Sequence, residues 1–446
     1  MKIVASCLLS LSFLISSHTN SASPNRDPGV PSSALLAETK ISLRLKSTLK
    51  RTGKEPIAII LNRSAKVLAV ATWDNKTELW NTERGELIAT IRGRVFQPYS
   101  YSDFAPIDAF SPDGRMLVTI DGKEADLWDA ASGRLEHVLT KSDELSWVVF
   151  SPDGRTLAIG GRFGSVSLWN TETGKLKHAI TAYRIKQYPR WRIISRFFQL
   201  STDVRVSFSP DGKNLLTILY EQPAKVWDTE TGRLENNLGE RVFAAKFSPS
   251  GRYVLTRSLD EAKLWETATG QLKAQFKSAA PEFSPDEHWL GLVEYGGKKG
   301  LLNLNAMDVE IPLSLNINDF STWTSFSPNN RFFVEASGLY GHSAALVDVS
   351  SGKVIADIPI KAKKGFDFIS DYLKYWEKLS FHPGSQILMG SNREIVRFWD
   401  SKSGTEIAQF PEAREPAEFS FDGKMLATTS QDKKNIALWE VDLTEK

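Results

Sequence analysis

Sulfur is nearly missing from this chain's chemistry: 446 residues hold a single cysteine, Cys7. One cysteine excludes a disulfide framework and any thiolate metal cluster. Histidine is also scarce, at positions 18, 137, 178, 288, 342 and 382, with no His-Glu-x-x-His pair. No Gly-x-Ser-x-Gly elbow marks a serine nucleophile, and no glycine-rich loop between strand and helix marks a phosphate site. Neither charge sign dominates: 55 Lys and Arg against 53 Asp and Glu leave a net +2. No global attraction to nucleic acid or membrane follows, so such contact would need a local patch. The apolar run Ile3–Ile15 is too short to span a bilayer.

That run has another reading. Lys2 precedes it, and small polar residues follow to Ala22. This is the layout of a secretory signal, cleaved after Ala22, although a buried core segment has the same composition. Val4-Ala5-Ser6-Cys7 resembles a lipobox, but the apolar run follows the cysteine where it should precede it. Residues 23–40 open rich in Pro and Ser and read as a linker. The mature chain is then expected outside the cytoplasm, secreted or periplasmic, without a transmembrane segment. A cytoplasmic location is the alternative if the N-terminus is not a signal.

What the chain has in abundance is one phrase. FSPDGR stands at 110 and 150, FSPDGK at 208, FSPSGR at 247, FSPDEH at 283, FSPNNR at 326 and FSFDGK at 419. Proline sets φ for the second turn position and glycine closes the turn at the fourth. Around each copy lie four short apolar runs separated by turn residues. In 146–181 they end at Phe150, then cover Thr156–Ile159, Val166–Trp169 and Leu176–Ile180. Four antiparallel strands per unit, repeated, are the signature of a propeller blade. The third strand of seven units carries tryptophan: Trp80, Trp128, Trp169, Trp227, Trp265, Trp399 and Trp439. Their expected role is structural, packing between blades, and not ligand binding.

These LWN, LWD and LWE strands, with the SPDG turns, resemble the WD40 family from about residue 41 to the end. Two units depart from the pattern, with Leu304 and Val347 read as standing in the Trp place. The Gly-His dipeptide typical of the family occurs once, at Gly341-His342, and its Asp between the second and third strands is present only in places (Asp74, Asp260, Asp432). The resemblance therefore implies a looser, bacterial-type member in which the family's buried Asp-His-Ser-Trp network is mostly missing.

The fold expected is all-β: one closed propeller of four-stranded antiparallel blades over 41–446. Nine blades give about 45 residues each and eight about 51, so nine is the reading and eight the alternative. The unit at 281–318 is the one most open to miscounting. Segment 41–49 alternates apolar and polar and has no partner in its own unit. It is expected to complete the last blade, removing both free sheet edges. The Asp residues of the turns offer too few oxygens for calcium, so no metal and no cofactor is expected.

Function is expected where the connections lengthen. Links between blades carry inserts at 92–106, 182–203 and 361–377, which must rise from one face. The middle one holds Arg184, Lys186, Arg190, Arg192 and Arg196, interleaved with Tyr183, Tyr188, Trp191, Phe197 and Phe198. Arg, Tyr and Trp dominate interface hot spots. The expected partner-binding set is Tyr188, Arg190, Trp191, Arg192, Arg196 and Phe198, with a protein or peptide as partner. Basic and aromatic residues together also suit single-stranded nucleic acid, against which the secretory signal argues. A satellite core beneath the loop is the competing use of the same aromatics. In the third insert Ile369, Leu373 and Trp376 lie at helical spacing, as in a cap over the central opening. The function expected is a non-catalytic binding scaffold. The alternative is a metal-dependent hydrolase or lactonase at the tunnel mouth, held by carboxylates of the innermost strands.

Overall fold

The computed structural model describes residues 39–95, 109–140, 145–161, 164–184, 204–258, 261–277, 281–293, 299–312, 321–337, 343–359, 378–392 and 394–445. Residues 1–38, where a signal and most of the linker are expected, and most of each insert lie outside these residues, while Thr39 and Lys40 of the expected linker open the closing strand. Among the described residues every regular element is a β-strand, arranged as nine consecutive antiparallel sheets. They form a ring, a nine-bladed β-propeller, with blades 1 to 9 beginning at residues 56, 109, 145, 205, 244, 282, 321, 378 and 413. The unit most open to miscounting is complete, with strands Glu282–Phe283, Trp289–Val293, Lys299–Asn303 and Asp308–Pro312. Blade 2 is the reduced one. Its three strands run from Met116 to Thr140, and its innermost position is held by Ala109 and Phe110 through a bridge to Leu117.

The ring closes through the strand Thr39–Leu49, which pairs antiparallel with Ile436–Glu445 as the outermost strand of blade 9. Arg51 follows at once. Its side chain is fully buried, with Nε 2.6 Å from Glu78 Oε2 and Nη2 3.1 Å from Oε1. Nη1 donates to the Lys434 carbonyl of blade 9 at 2.8 Å. One guanidinium therefore ties the closing segment to the first and last blades together.

Register explains the repeated tryptophan. In each blade that has one, Trp on the third strand faces an apolar residue of the second, as in Leu157–Trp169 and Leu388–Trp399. It packs among residues of the preceding blade: Trp128 with Leu79 and Ile91, Trp169 with Leu127 and Leu139. By the same register Val347 holds this place in blade 7, opposite Phe333. In blade 6 the place belongs to Leu302, opposite Leu290, and not to Leu304. The sequence reading slipped by two residues there because the turn after Asn303 lacks the usual glycine. Phe333 is fully buried against Gly291 of blade 6, which restores volume that valine does not supply.

A buried indole N–H needs an acceptor. Four tryptophans donate to a threonine of the second strand: Trp128 to Thr119, Trp227 to Thr217, Trp265 to Thr256 and Trp439 to Thr428, at 2.8–3.0 Å. Blades 1, 3 and 8 carry Val70, Ile159 and Gly390 at the threonine position. In blades 1 and 3 the residue two before Trp takes over as acceptor, while in blade 8 that place holds Arg397, which can only donate. Glu78 accepts from Trp80, Ser167 accepts from Trp169, and Arg397 lies over the Trp399 ring at 5.1 Å. The network expected to be mostly missing is thus replaced by a simpler one.

On the face formed by the SPDG turns, each turn touches the next. Asn62 donates to the Gly114 carbonyl, and Pro112, Pro152 and Pro210 pack against Gly154, Gly212 and Gly251. Ser250 N–H donates to Glu287, Asp286 N–H to Asn330, and Asn329 N–H to Ser385. His382 reaches the Gly423 carbonyl at 2.9 Å, and Arg63 stacks over Phe421 at 4.3 Å. The sequence of contacts runs blade 1 to 2 and onward until blade 9 meets blade 1. The turn aspartates serve their own turns. Burial works against the Asp113 carboxylate, but the Ser111 hydroxyl at 2.6 Å and the Arg115 amide hold its pKa below the ordinary value.

His382 carries a pH prediction. Its Nδ1 accepts the Gly384 N–H at 2.9 Å, and Nε2–H donates to Gly423, so the ring is fixed in one neutral tautomer. Burial depresses its pKa below the ordinary histidine value of 6.5, against the smaller raising effect of Gly423. The native state therefore binds this proton less readily than the unfolded chain. Its stabilisation is complete above the unfolded pKa, declines as pH falls below about 6.5, and is gone below the folded pKa. Urea midpoints from pH 8 to 5 should fall in the wild type and fall less in His382→Gln.

Candidate functional site: the face carrying the blade links

In an antiparallel blade the two hairpin turns SPDG and TETG point one way. The second-to-third loops and the links to the next blade point the other way, so the roots of all three inserts share a face. The described residues show how each root is held. The first insert leaves blade 1 at Arg92, whose guanidinium grips Asp126 of blade 2 at 2.6 and 3.0 Å. Asp126 is fully buried, and burial raises its pKa although Arg92 pulls the other way. Two residues on, Arg94 pairs backbone to backbone with Ile120, and its Nε donates to Asn75, which in turn donates to Asp121.

The second insert is anchored at both ends. Tyr183 N–H donates to the Gly164 carbonyl and Val204 N–H to that of Gly161, at 3.0 and 3.2 Å. A Cβ on Gly164 or Gly160 would overlap the carbonyls of Tyr183 or Val204, so both positions demand glycine. Tyr183 was grouped with the interface aromatics, but it is 4% exposed and belongs to the core shared by blades 3 and 4. Its hydroxyl lies 2.8 Å from the Thr217 carbonyl and 3.0 Å from that of Pro223, and burial raises the phenol's pKa. Lys225 sits over the Tyr183 ring at 4.7 Å and donates to the Ala182 carbonyl at 2.6 Å. Desolvation lowers its pKa. The insert's first residue pair is therefore structural, and its exposed chemistry begins at Arg184. The third insert departs after Ile358 and returns before Leu379, both buried in the core of blades 7 and 8.

The residues expected to bind the partner, Tyr188, Arg190, Trp191, Arg192, Arg196 and Phe198, lie outside the described residues, as does the helix expected around Ile369–Trp376. Of the innermost strands, described carboxylates such as Glu282 are engaged: its Oε2 lies 2.5 Å from Lys246 Nζ. Among the described residues no three His, Cys, Asp or Glu side chains gather as metal ligands. No helix among them is long and apolar enough to cross a membrane. Sequence reasoning missed Arg92–Asp126 and Lys225–Tyr183, pairs whose partners come from neighbouring blades.

No protein-family model matches the chain. It is similar to an uncharacterized WD repeat-containing protein of Synechocystis, 27% identical over 162 residues, covering 36% of this chain and 40% of that protein. A ribosome biogenesis protein WDR12 homolog of Drosophila erecta is 27% identical over 216 residues, 47% of this chain and 50% of the relative. A WD repeat-containing protein WDS homolog of Arabidopsis thaliana is 24% identical over 48% of this chain and 39% of its own length. The alignments span half or less of each of these relatives. Among solved structures, the computationally designed Ika8 protein superposes with a TM-score of 0.50 at 13% identity, over 88% of this chain and 98% of that one. The likeness is one of fold alone. Together these findings support WD40-type repeats in this chain.

Proposed function

We propose that this WD-repeat propeller is a non-catalytic scaffold that binds a protein or peptide partner on its link-bearing face. The observation that carries the reading is the build of the insert roots. Arg92–Asp126, Tyr183–Lys225 and the glycines 160 and 164 hold the long inserts' bases rigidly on one side of a stiff ring. Long loops on a rigid frame are where recognition is usually placed. Relatives named for WD repeats extend to a ribosome biogenesis protein homolog, and partner binding by this chain is consistent with a scaffold role. The anchors we assign are Tyr188, Trp191 and Phe198 in partner pockets, with Arg190 and Arg192 making paired hydrogen bonds to carboxylates. We place the protein outside the cytoplasm on the strength of Lys2 and the apolar run to Ile15, which N-terminal sequencing of the mature chain tests.

Replacing Arg190, Trp191 and Arg192 together with alanine is the direct test. Cross-linking pull-down from the native compartment should lose its specific partners, while the melting temperature moves by no more than about 2 °C, as for exposed substitutions. A large fall in melting temperature would assign these side chains to a satellite core. Metal analysis that found one tightly bound calcium or zinc per chain would favour the hydrolase reading.

A further inference from the structure

Beside the root of the first insert, a pocket of about 370 Å³ opens between the segment that follows the closing strand and blade 1. It is lined by Thr52 and Lys54 of that segment and by Thr72, Asp74, Lys76, Glu78 and Thr90 of blade 1. The segment over it is folded by the buried Arg51, which donates to the Lys54 carbonyl at 2.9 Å while gripping Glu78. A Cβ on Gly53 would overlap Glu78 Oε1, so a larger residue there would push the carboxylate away from Arg51. The pocket's shape therefore depends on the Arg51–Glu78 pair.

Its chemistry is selective. Glu78 is neutralised by Arg51 and also accepts the Trp80 indole N–H, so it has little left for a ligand. Asp74 is held ionised by the Thr72 hydroxyl, with Lys76 3.6 Å away. Lys54 adds a second cation to the lining, so two ammonium groups stand against the one carboxylate that Arg51 does not pair. Thr52, Thr90 and Asp74 supply hydrogen-bonding groups suited to hydroxyls, whereas the buried Thr72 hydroxyl is spent on Asp74 and the Lys76 carbonyl, and one carboxylate beyond Glu78 is too few for a divalent cation. The volume is in the range of small-ligand sites. We propose that this pocket binds a small carboxylate rich in hydroxyl groups, the chemical class of the sugar acids. The carboxylate sits between Lys54 and Lys76, and the hydroxyls meet Asp74, Thr52 and Thr90.

Calorimetric titration of the full chain at low salt tests this, with glucuronate, glucose and inorganic phosphate as probes. Glucuronate should bind saturably, with glucose at least about tenfold weaker. The Lys54→Ala/Lys76→Ala variant should lose about tenfold or more in glucuronate affinity while its melting curve is unchanged, because two partly exposed charge contacts are removed. If that variant fails to fold, the single variants Lys54→Gln and Lys76→Gln read the same contrast. No saturable binding of glucuronate, equal binding of glucose, phosphate binding as tightly as glucuronate, or unaltered affinity in folded lysine variants would each overturn the assignment.

Discussion

Arg51→Ala should destabilise the folded protein by about 3–5 kcal/mol, read from guanidinium denaturation followed by tryptophan fluorescence. The size follows from what is left behind. Arg51's side chain is fully buried and Glu78's is 8% exposed, so removing the guanidinium strands a carboxylate away from water. It also frees the Lys434 and Lys54 carbonyls, which Arg51 satisfies from blade 9 and from the closing segment. The double variant Arg51→Met/Glu78→Gln should recover most of the loss, because the cost lies in the uncompensated charge more than in the missing attraction. A loss below about 1 kcal/mol for Arg51→Ala would mean that water reaches Glu78 and the clamp is not buried in solution. The strand Thr39–Leu49 should suffer first, since its attachment to blade 1 passes through this residue. Hydrogen exchange across 39–49 should rise in Arg51→Ala before exchange elsewhere does.

How much of this could be read from residues alone depends on the distance over which the signal acts. The SPDG turn is local chemistry, and so the blades, their order and their number were legible. The Trp place was legible where a glycine-bearing turn follows it, and slipped from Leu302 to Leu304 where Met307 stands in the left-handed position. Partnerships across blades were not legible. Tyr183 looks like one more aromatic of a basic loop, and only the carbonyls of Thr217 and Pro223, from the next blade, make it core. Arg51 looks like one more cation in a polar stretch. Its partner Glu78 lies between Thr77 and Leu79 in a strand that reads as an ordinary half-buried one. Pairings of this kind depend on how one blade docks on its neighbour, which the pattern within a single strand does not show.

The repeated tryptophan sets the other large expectation, and it differs from blade to blade. Trp399 is 1% exposed and packs with Phe332, Val334 and Leu346 of blade 7, so Trp399→Ala should cost about 3–5 kcal/mol, as for large core truncations. Two effects add. The cavity opens between blades whose facing surfaces are fixed by their own sheets and cannot collapse inward. Arg397, 2% exposed, also loses the ring beneath its guanidinium. Trp265 is only partly buried, at the seam between blades 4 and 5, and Trp265→Ala should cost clearly less. Substituting phenylalanine separates volume from hydrogen bonding. At Trp128 it removes the donor to Thr119 and leaves that buried hydroxyl short of a partner, adding about 1 kcal/mol to the packing loss. The Trp128→Phe/Thr119→Val pair should show coupling of that order in a double-mutant cycle. Equal losses for Trp399→Ala and Trp265→Ala would contradict the view that each blade is fastened to its predecessor in proportion to the ring it buries there.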